Sequence, residues 1–299
     1  SVRDIAVKDD SACGCADLIA GTHGRGFWIL DDLTPLRQEA EVRAARASST
    51  PYLVRPLPAL RVRFGTNDPT PWPPELPAGE NPPAGAVLDY FLPSDAAGPV
   101  KLEILDAAGR VARSYASDDP VLEPDPGLDP AAYDAVCRRN PGATHCGLPL
   151  YWPAPQQRLS ARAGMHRFAW DMRYQPLSVP DVTQAGDVAA TGAVPRRSVP
   201  GPTAPWAAPG RYTVRLTVEG KTFSQPLALR LDPRVKTPAV GLQQLASLTR
   251  EMYDGAAAAH AAYIDARAVV ASLDSMPAAQ RPAGLRAQRD SLAPASRAA

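Results

Sequence analysis

The chain has 299 residues, among them 34 prolines and 21 glycines, and hydrophobic residues make up 45% of it. A proline inside a helix costs about 3 kcal/mol, so this composition argues against long helical bundles and favours short strands and ordered loops. The 32 basic and 31 acidic residues give a net charge of +1, which argues against nucleic acids and anionic membranes as partners. No run of about 20 apolar residues predicts a membrane span, and the length suggests about two domains.

Residues 1–36 contain three short apolar runs, at 2–8, 17–20 and 27–30, separated by an Asp-Asp-Ser turn and a glycine-rich turn. This spacing predicts a three-stranded meander. Such a meander buries too little surface to be stable alone, so we interpret it as an incomplete unit that requires neighbours outside this chain. Residues 37–58, rich in alanine, arginine and proline, are predicted to be a linker that crosses a surface.

Residues 59–235 carry most of the remaining strand signals. Apolar and polar residues alternate in short runs bounded by glycine and proline turns, which is typical of an antiparallel β-sandwich. Two stretches, at about 118–160 and 175–209, are interpreted as insertions. The predicted strands lie at 60–64, 87–92, 100–104, 111–115, 164–171, 210–218 and 222–231.

Residues 236–299 change to the spacing of a helix, followed by a tail rich in alanine, arginine and proline. Thr237 is predicted to cap the N-terminus of this helix, with Pro238 at its first helical position. The fold predicted from the whole sequence is therefore mainly β with a C-terminal helical segment.

The four cysteines are Cys13, Cys15, Cys137 and Cys146. Cys137 and Cys146 bracket a short polar loop, where a disulfide would hold a segment that has little core of its own. They could instead form half of a zinc site with His145, but no second pair of ligands lies at the required spacing nearby. Cys13 and Cys15 are too close in sequence for an easy disulfide.

Four stretches carry a resemblance to a known family: GTHGRGFWILDDLTPLRQ at 21–38, GENPPAGA at 79–86, GMHRFAWD at 164–171 and DPR at 232–234. The first resembles the end of the propeller in large bacterial proteins with sortilin-like, BNR-repeat β-propellers, which are often labelled glycosyl hydrolases. The other three resemble segments on the C-terminal side of that propeller. The pattern from 102 to 218 also resembles the Ig-like domain of the flagellar hook-capping protein and of secreted-protein sorting modules.

The resemblance implies four parts: final propeller strands at 1–36, a linker at 37–58, an Ig-like β-sandwich at 59–235 and a helix with a tail at 236–299. It implies an upstream propeller of the same protein as partner, and a secreted or periplasmic location in a bacterium. Ligand or active sites in this family lie at propeller mouths, and the Asp-box Ser-x-Asp-x-Gly-x-Thr-Trp does not occur here. No residue of this chain is therefore assigned as catalytic, and no cofactor or metal is expected.

Candidate ligand-binding residues lie in two settings. His23 and Arg25 flank a glycine in a tight turn and could bind a carboxylate or a sugar, or could hydrogen-bond neighbouring propeller blades. Trp72 and Trp152 lie in proline-rich loops and could stack on sugars or peptides, or could cover the sandwich. The adjacent carboxylates Asp31-Asp32 point to opposite faces of a strand, so we interpret them as a strand-end turn rather than as an acid/base pair.

Our leading hypothesis is a non-catalytic accessory and interaction region that buttresses the propeller. One alternative is part of a glycan-processing hydrolase whose site lies mostly upstream, with His23 and Arg25 contributing. Another is a carbohydrate- or peptide-binding sandwich that uses the loop tryptophans.

Overall fold

The computed structural model describes residues 1–10, 15–62, 85–120, 129–139, 157–177 and 204–276. These residues form a strand-rich structure with several sheets and a long C-terminal helix, as predicted in outline. Its assignment as propeller strands and an Ig-like sandwich stays a prediction.

The N-terminal sheet has three antiparallel strands: β1 (Val2–Asp10), β2 (Cys15–Thr22) and β3 (Phe27–Leu30). Glycines at the β2–β3 turn allow it to close, since Gly24 and Gly26 both have left-handed backbone angles, with φ of 76° and 70°. The predicted meander of residues 1–36 is therefore present.

The segment predicted as a linker has regular structure for much of its length. It follows α1 (Thr34–Arg37) and contains α2 (Glu39–Ala47) and the short strand β4 (Tyr52–Leu53). The apolar face of α2 packs Val42 and Ala45 onto Phe91 in a small second core. The helical periodicity of α2 was hidden by the many charged residues, so the sequence suggested an irregular connection.

The larger sheet has five strands in the order β5-β11-β10-β7-β8. Four of them pair antiparallel, whereas β5 pairs parallel with β11. The strands of this sheet are β5 (Ala59–Arg61), β7 (Lys101–Leu105), β8 (Val111–Ala116), β10 (Gly210–Val218) and β11 (Lys221–Leu231).

A second sheet of three strands pairs β4, β6 (Ala86–Leu92) and β9 (Gly164–Trp170) in the order β4-β6-β9. Its side chains and those of the five-stranded sheet meet in one core, in which Trp170, Ile104 and Val214 are completely buried. Gly85, just before β6, approaches β9 so closely that an added Cβ would clash with the carbonyl oxygen of Trp170.

Local sequence signals explain the β10–β11 hairpin well. Tyr212, Val214 and Leu216 alternate with polar residues, and all three are buried on one face, as predicted. The two-residue turn, Glu219 and Gly220, has positive φ at both positions (49° and 76°), the geometry that matches the right-handed twist of the strands.

The long helix α4 (Ala239–Ser275) confirms the predicted change of period, but its N-terminus differs from the prediction. Pro238 occupies the N-cap position with an extended backbone, and no side chain caps the helix. We call the five-stranded sheet, the β4-β6-β9 sheet and their shared core the body. The helix contacts the body through Tyr253, whose ring stacks on Tyr174 at 5.5 Å and whose hydroxyl donates to the carbonyl of Gln175 at 2.7 Å.

One further helix, α3 (Pro130–Arg139), lies in the first predicted insertion. The second predicted insertion lies mostly outside the described residues. Among the described helices, none combines the length and the apolar character needed to cross a bilayer.

Candidate functional site

The predicted pair His23 and Arg25 lies at the tip of the β2–β3 hairpin. The turn is closed by Thr22, whose backbone N–H and hydroxyl both donate to the carbonyl of Gly26, at 3.1 and 2.7 Å. The indole of Trp28 donates to the carbonyl of Arg25 at 3.1 Å. Both predicted side chains are exposed, and neither has a side-chain partner among the described residues. They are free to contact a ligand or another surface.

The other predicted site residues are only partly covered by the structure. Cys137 lies in α3 and is disulfide-bonded, whereas Cys146 lies outside the described residues, so their pairing stays a prediction. Trp72 and Trp152 also lie outside the described residues. A third loop tryptophan, Trp206, packs against the core beneath the guanidinium of Arg173, 4.1 Å from its ring centroid. The guanidinium of Arg173 therefore covers a face of this ring.

The strongest surface feature is the N-terminal sheet, because large exposed apolar side chains lie on both of its faces. In β3, Phe27, Trp28, Ile29 and Leu30 are consecutive and are 82%, 65%, 60% and 47% exposed. Successive side chains of a strand point to opposite faces. Trp28 and Leu30 share a face with Ile5 and Val7, whereas Phe27 and Ile29 lie on the other face with Ile19.

Sheets that are apolar on both faces are normally covered on both faces. Here, no described strand pairs with the outer edge of β1 or of β3. The N-terminal sheet therefore carries apolar side chains of the kind found in buried sheets, yet these side chains are exposed among the described residues. We call the exposed apolar residues of β1 and β3 the N-terminal apolar surface: Val2, Ile5, Val7, Phe27, Trp28, Ile29 and Leu30.

The chain leaves the N-terminal sheet through a tightly bonded turn. Asp32 adopts a left-handed backbone (φ 59°), and its carboxylate accepts hydrogen bonds from the backbone N–H and the hydroxyl of Thr34. The N–H of Leu33 donates to the carbonyl of Ala16 at 2.6 Å. The prediction of a strand-end turn at Asp31-Asp32 is therefore confirmed, and burial and the nearby Asp17 raise the pKa of Asp31.

Arg167 of β9 joins this turn to the rest of the structure. Its guanidinium donates to both carboxylate oxygens of Asp89 on β6, at 2.9 and 3.2 Å. It also donates to the carbonyl oxygens of Asp31 and Asp32, at 2.8 and 3.1 Å. Asp89 is almost completely buried; burial raises the pKa of this carboxyl, and Arg167 offsets part of the rise. Because one side chain bonds both groups, the turn at the end of β3 is tied to β6 and β9.

A second charged group was missed by the sequence analysis. The alternation in β7 predicts Glu103 on the exposed face, yet Glu103 is buried between Lys101 at 3.0 Å and Arg215 of β10 at 2.8 Å. Burial opposes ionisation of Glu103, but the hydrogen bonds from both cations outweigh it and lower the pKa. The signal was absent from the sequence because Arg215 lies more than a hundred residues away along the chain.

The described residues do not bring a catalytic constellation together. His166, on β9, contacts Tyr90 through its ring, with the centroids 5.1 Å apart, and no described group of three or more acidic, histidine or cysteine side chains could hold a metal ion. A scan of protein-family models finds no match to this chain. A search of curated proteins also finds no match.

Proposed function

We propose that this chain is a non-catalytic accessory and interaction region of a secreted bacterial β-propeller protein, in which residues 1–36 are the final strands of an incomplete blade. The N-terminal apolar surface carries the proposal, because its large exposed side chains lie on both faces of the sheet and favour a neighbour on each side. A blade inside a propeller has such neighbours, since blades are arranged radially around a central channel. The sequence resemblance at 21–38 points to the same architecture.

The proposed role of the body is to buttress the propeller. Arg167 ties the end of the N-terminal sheet to β6 and β9, and Arg37 of α1 adds an ion pair with Asp9 of β1 at 3.0 Å. These contacts would hold the body, which we propose is an Ig-like sandwich, at a defined angle to the propeller. The disulfide of Cys137 is in keeping with an oxidising compartment such as the periplasm.

The test uses the region upstream of Ser1 in the complete protein, produced separately with an affinity tag and mixed with this chain. We expect the two to form a stable complex. Trp28→Glu and Ile29→Glu place one charge on each face of the sheet, and each should abolish the complex because both faces are covered in a blade. Leu248→Glu, on the exposed side of α4, is the matched control and should leave binding unchanged.

The binding results for the two β3 variants distinguish a propeller blade from other arrangements of the N-terminal sheet. If only one of the two β3 variants loses binding, the sheet is covered on a single side and is not a propeller blade. If neither variant loses binding, the N-terminal apolar surface is not the interface. A cooperative thermal transition of residues 1–36 on their own would also contradict the proposal, since an incomplete blade should not fold alone.

A glycan-processing role with the active site upstream is the second candidate, supported by the free, exposed side chains of His23 and Arg25 at the hairpin tip. In the complete protein, His23→Ala and Arg25→Ala should then lower turnover of an oligosaccharide substrate. Unchanged turnover in both variants would remove this chain from the chemistry and leave the accessory role.

A further inference from the structure

A shallow pocket of about 270 Å³ opens on the outer face of the five-stranded sheet, beside the turn that joins β7 to β8. It lies on a different sheet from the N-terminal apolar surface. Side chains at alternate positions of β10 point into it, opposite to the buried residues of that strand. Its polar and charged lining includes Asp106, Arg211, Thr213, Arg215 and Ser224.

The carboxylates in and beside this pocket already have hydrogen-bond and ion-pair partners. Asp106 accepts hydrogen bonds from the backbone of Ala108 and Arg110, at 2.9 and 3.0 Å, and from the Arg110 guanidinium at 2.9 Å. Burial on its own would raise the pKa of Asp106, but these hydrogen bonds outweigh it and lower the pKa. Glu103 is held by its two cations in the same way. Neither acid is available to bind a cation.

The positive charge of the pocket, in contrast, is in excess. Arg211 is exposed, and its guanidinium has no hydrogen bond or ion pair with any described residue. The hydroxyls of Thr213 and Ser224 are likewise without a described partner, and they lie on the adjacent strands β10 and β11. The local charges are Lys101, Arg110, Arg211 and Arg215 against Asp106 and Glu103, an excess of two positive charges in a nearly neutral chain.

We propose that this pocket binds a carboxylate-bearing sugar unit of an acidic polysaccharide. Arg211 would take the carboxylate through paired N–H donors, the geometry for which a guanidinium is suited. The free hydroxyls of Thr213 and Ser224 would bond the sugar hydroxyls. The volume lies just below the range of about 300–1,000 Å³ found for pockets that enclose drug-sized ligands. It therefore suits one sugar unit, and because the pocket is open to solvent, the rest of the polysaccharide can stay outside it.

The proposal is independent of the propeller assignment, and it is tested on the whole chain. Binding of a galacturonate oligosaccharide is measured by titration calorimetry at low ionic strength, with the neutral galactose oligosaccharide of equal length for comparison. We expect binding of the acidic oligosaccharide alone. Arg211→Gln should weaken it about tenfold to a hundredfold, the loss expected for hydrogen bonds to a charged group.

Lys221→Gln is the matched control, because it removes an equal charge from the far end of the same hairpin. It should change the affinity less than about twofold, and both variants should keep the wild-type circular dichroism and thermal midpoint, since both positions are exposed. Equal losses in the two variants would reduce the effect to general charge attraction and overturn the proposal. Equal binding of the neutral oligosaccharide, equally tight binding of a poly-glutamate peptide, or no binding at all would also overturn it.

Discussion

Replacing Arg167 by glutamine should strongly destabilise the structure. The guanidinium makes two hydrogen bonds to Asp89 and two to the carbonyls of Asp31 and Asp32. Asp89 is only 4% exposed, so Arg167→Gln leaves a buried carboxylate without its cation. Removing one partner of a buried ion pair costs about 3–5 kcal/mol.

The lower end of that range applies here. The side chain of Arg167 is 35% exposed, so water can enter the space that the guanidinium leaves. We therefore expect a loss of about 3 kcal/mol in the free energy of unfolding, more than a hundredfold in the folding equilibrium. Asp89→Asn should cost only about 1 kcal/mol, because Arg167 remains near water and still bonds the two carbonyls.

The effect of pH has a defined sign. Burial raises the pKa of Asp89 in the wild-type protein, and Arg167→Gln removes the opposing cation, so the folded-state pKa should rise further. An acid whose pKa is raised by folding binds its proton more tightly in the folded state than in the unfolded state. Its ionised form therefore destabilises the fold, and this effect grows as pH rises from about 4 through the folded-state pKa. The deficit of Arg167→Gln should therefore be larger at pH 7 than at pH 5.

Urea unfolding followed by circular dichroism at the two pH values measures this deficit, with Asp89→Asn and the double variant measured in parallel. Hydrogen exchange of peptides from β1–β3 should show faster exchange in Arg167→Gln than in the wild type, whereas peptides from β10 and β11 should change less. The reasoning is refuted if Asp89→Asn costs more than Arg167→Gln, or if the deficit of Arg167→Gln grows on acidification.

Four further substitutions test the core, the outer charges and the close approach at Gly85 by urea unfolding. Trp170→Ala should cost about 3–5 kcal/mol, because its side chain is completely buried where the two sheets meet, and a cost under about 1 kcal/mol would contradict that placement. Glu103→Gln should cost about 1 kcal/mol at pH 7, because it removes the ion pair with Arg215. Since the pKa of Glu103 is lowered in the folded state, the difference in unfolding free energy between the variant and the wild type should disappear as pH falls below about 4. A difference that stays constant with pH would exclude this contact as the cause. Gly85→Ala should cost about 1–3 kcal/mol, because the added Cβ would meet the backbone of β9. Gly255 lies in open space on α4, so Gly255→Ala should stabilise the structure by about 1 kcal/mol. Similar effects of the two substitutions would contradict the close approach at Gly85.

The strands and the helix could be read from the sequence wherever the signal was local. The alternation around Val214 and the Glu219-Gly220 turn define the β10–β11 hairpin within about twenty residues. The turn from Asp106 to Gly109 is equally local, since the N–H of Gly109 donates to the carbonyl of Asp106 at 2.9 Å. In these cases, the residues that determine the structure are also its neighbours in sequence.

The sites depended on contacts between distant parts of the chain. Arg167 and Asp89 are 78 residues apart, and Arg215 and Glu103 are 112 apart, so neither pair leaves a pattern in any short window. The same holds for the pocket, where Arg211 and Ser224 come from one hairpin and Asp106 from a turn about a hundred residues earlier. The parallel pairing of β5 with β11 also could not be inferred from local patterns.

The sequence by itself predicted most of the strands and which of their faces are apolar, including the apolar runs of the first three strands. Those properties follow from a side-chain period of two and from the apolar area that each strand carries. Only the tertiary structure decided which strands pair, where Arg167 anchors the N-terminal sheet, and that Arg211 is left as a free cation among the described residues. These outcomes depend on how the chain closes its long loops around a shared core, because burial is then set by residues that are distant in sequence and close in space.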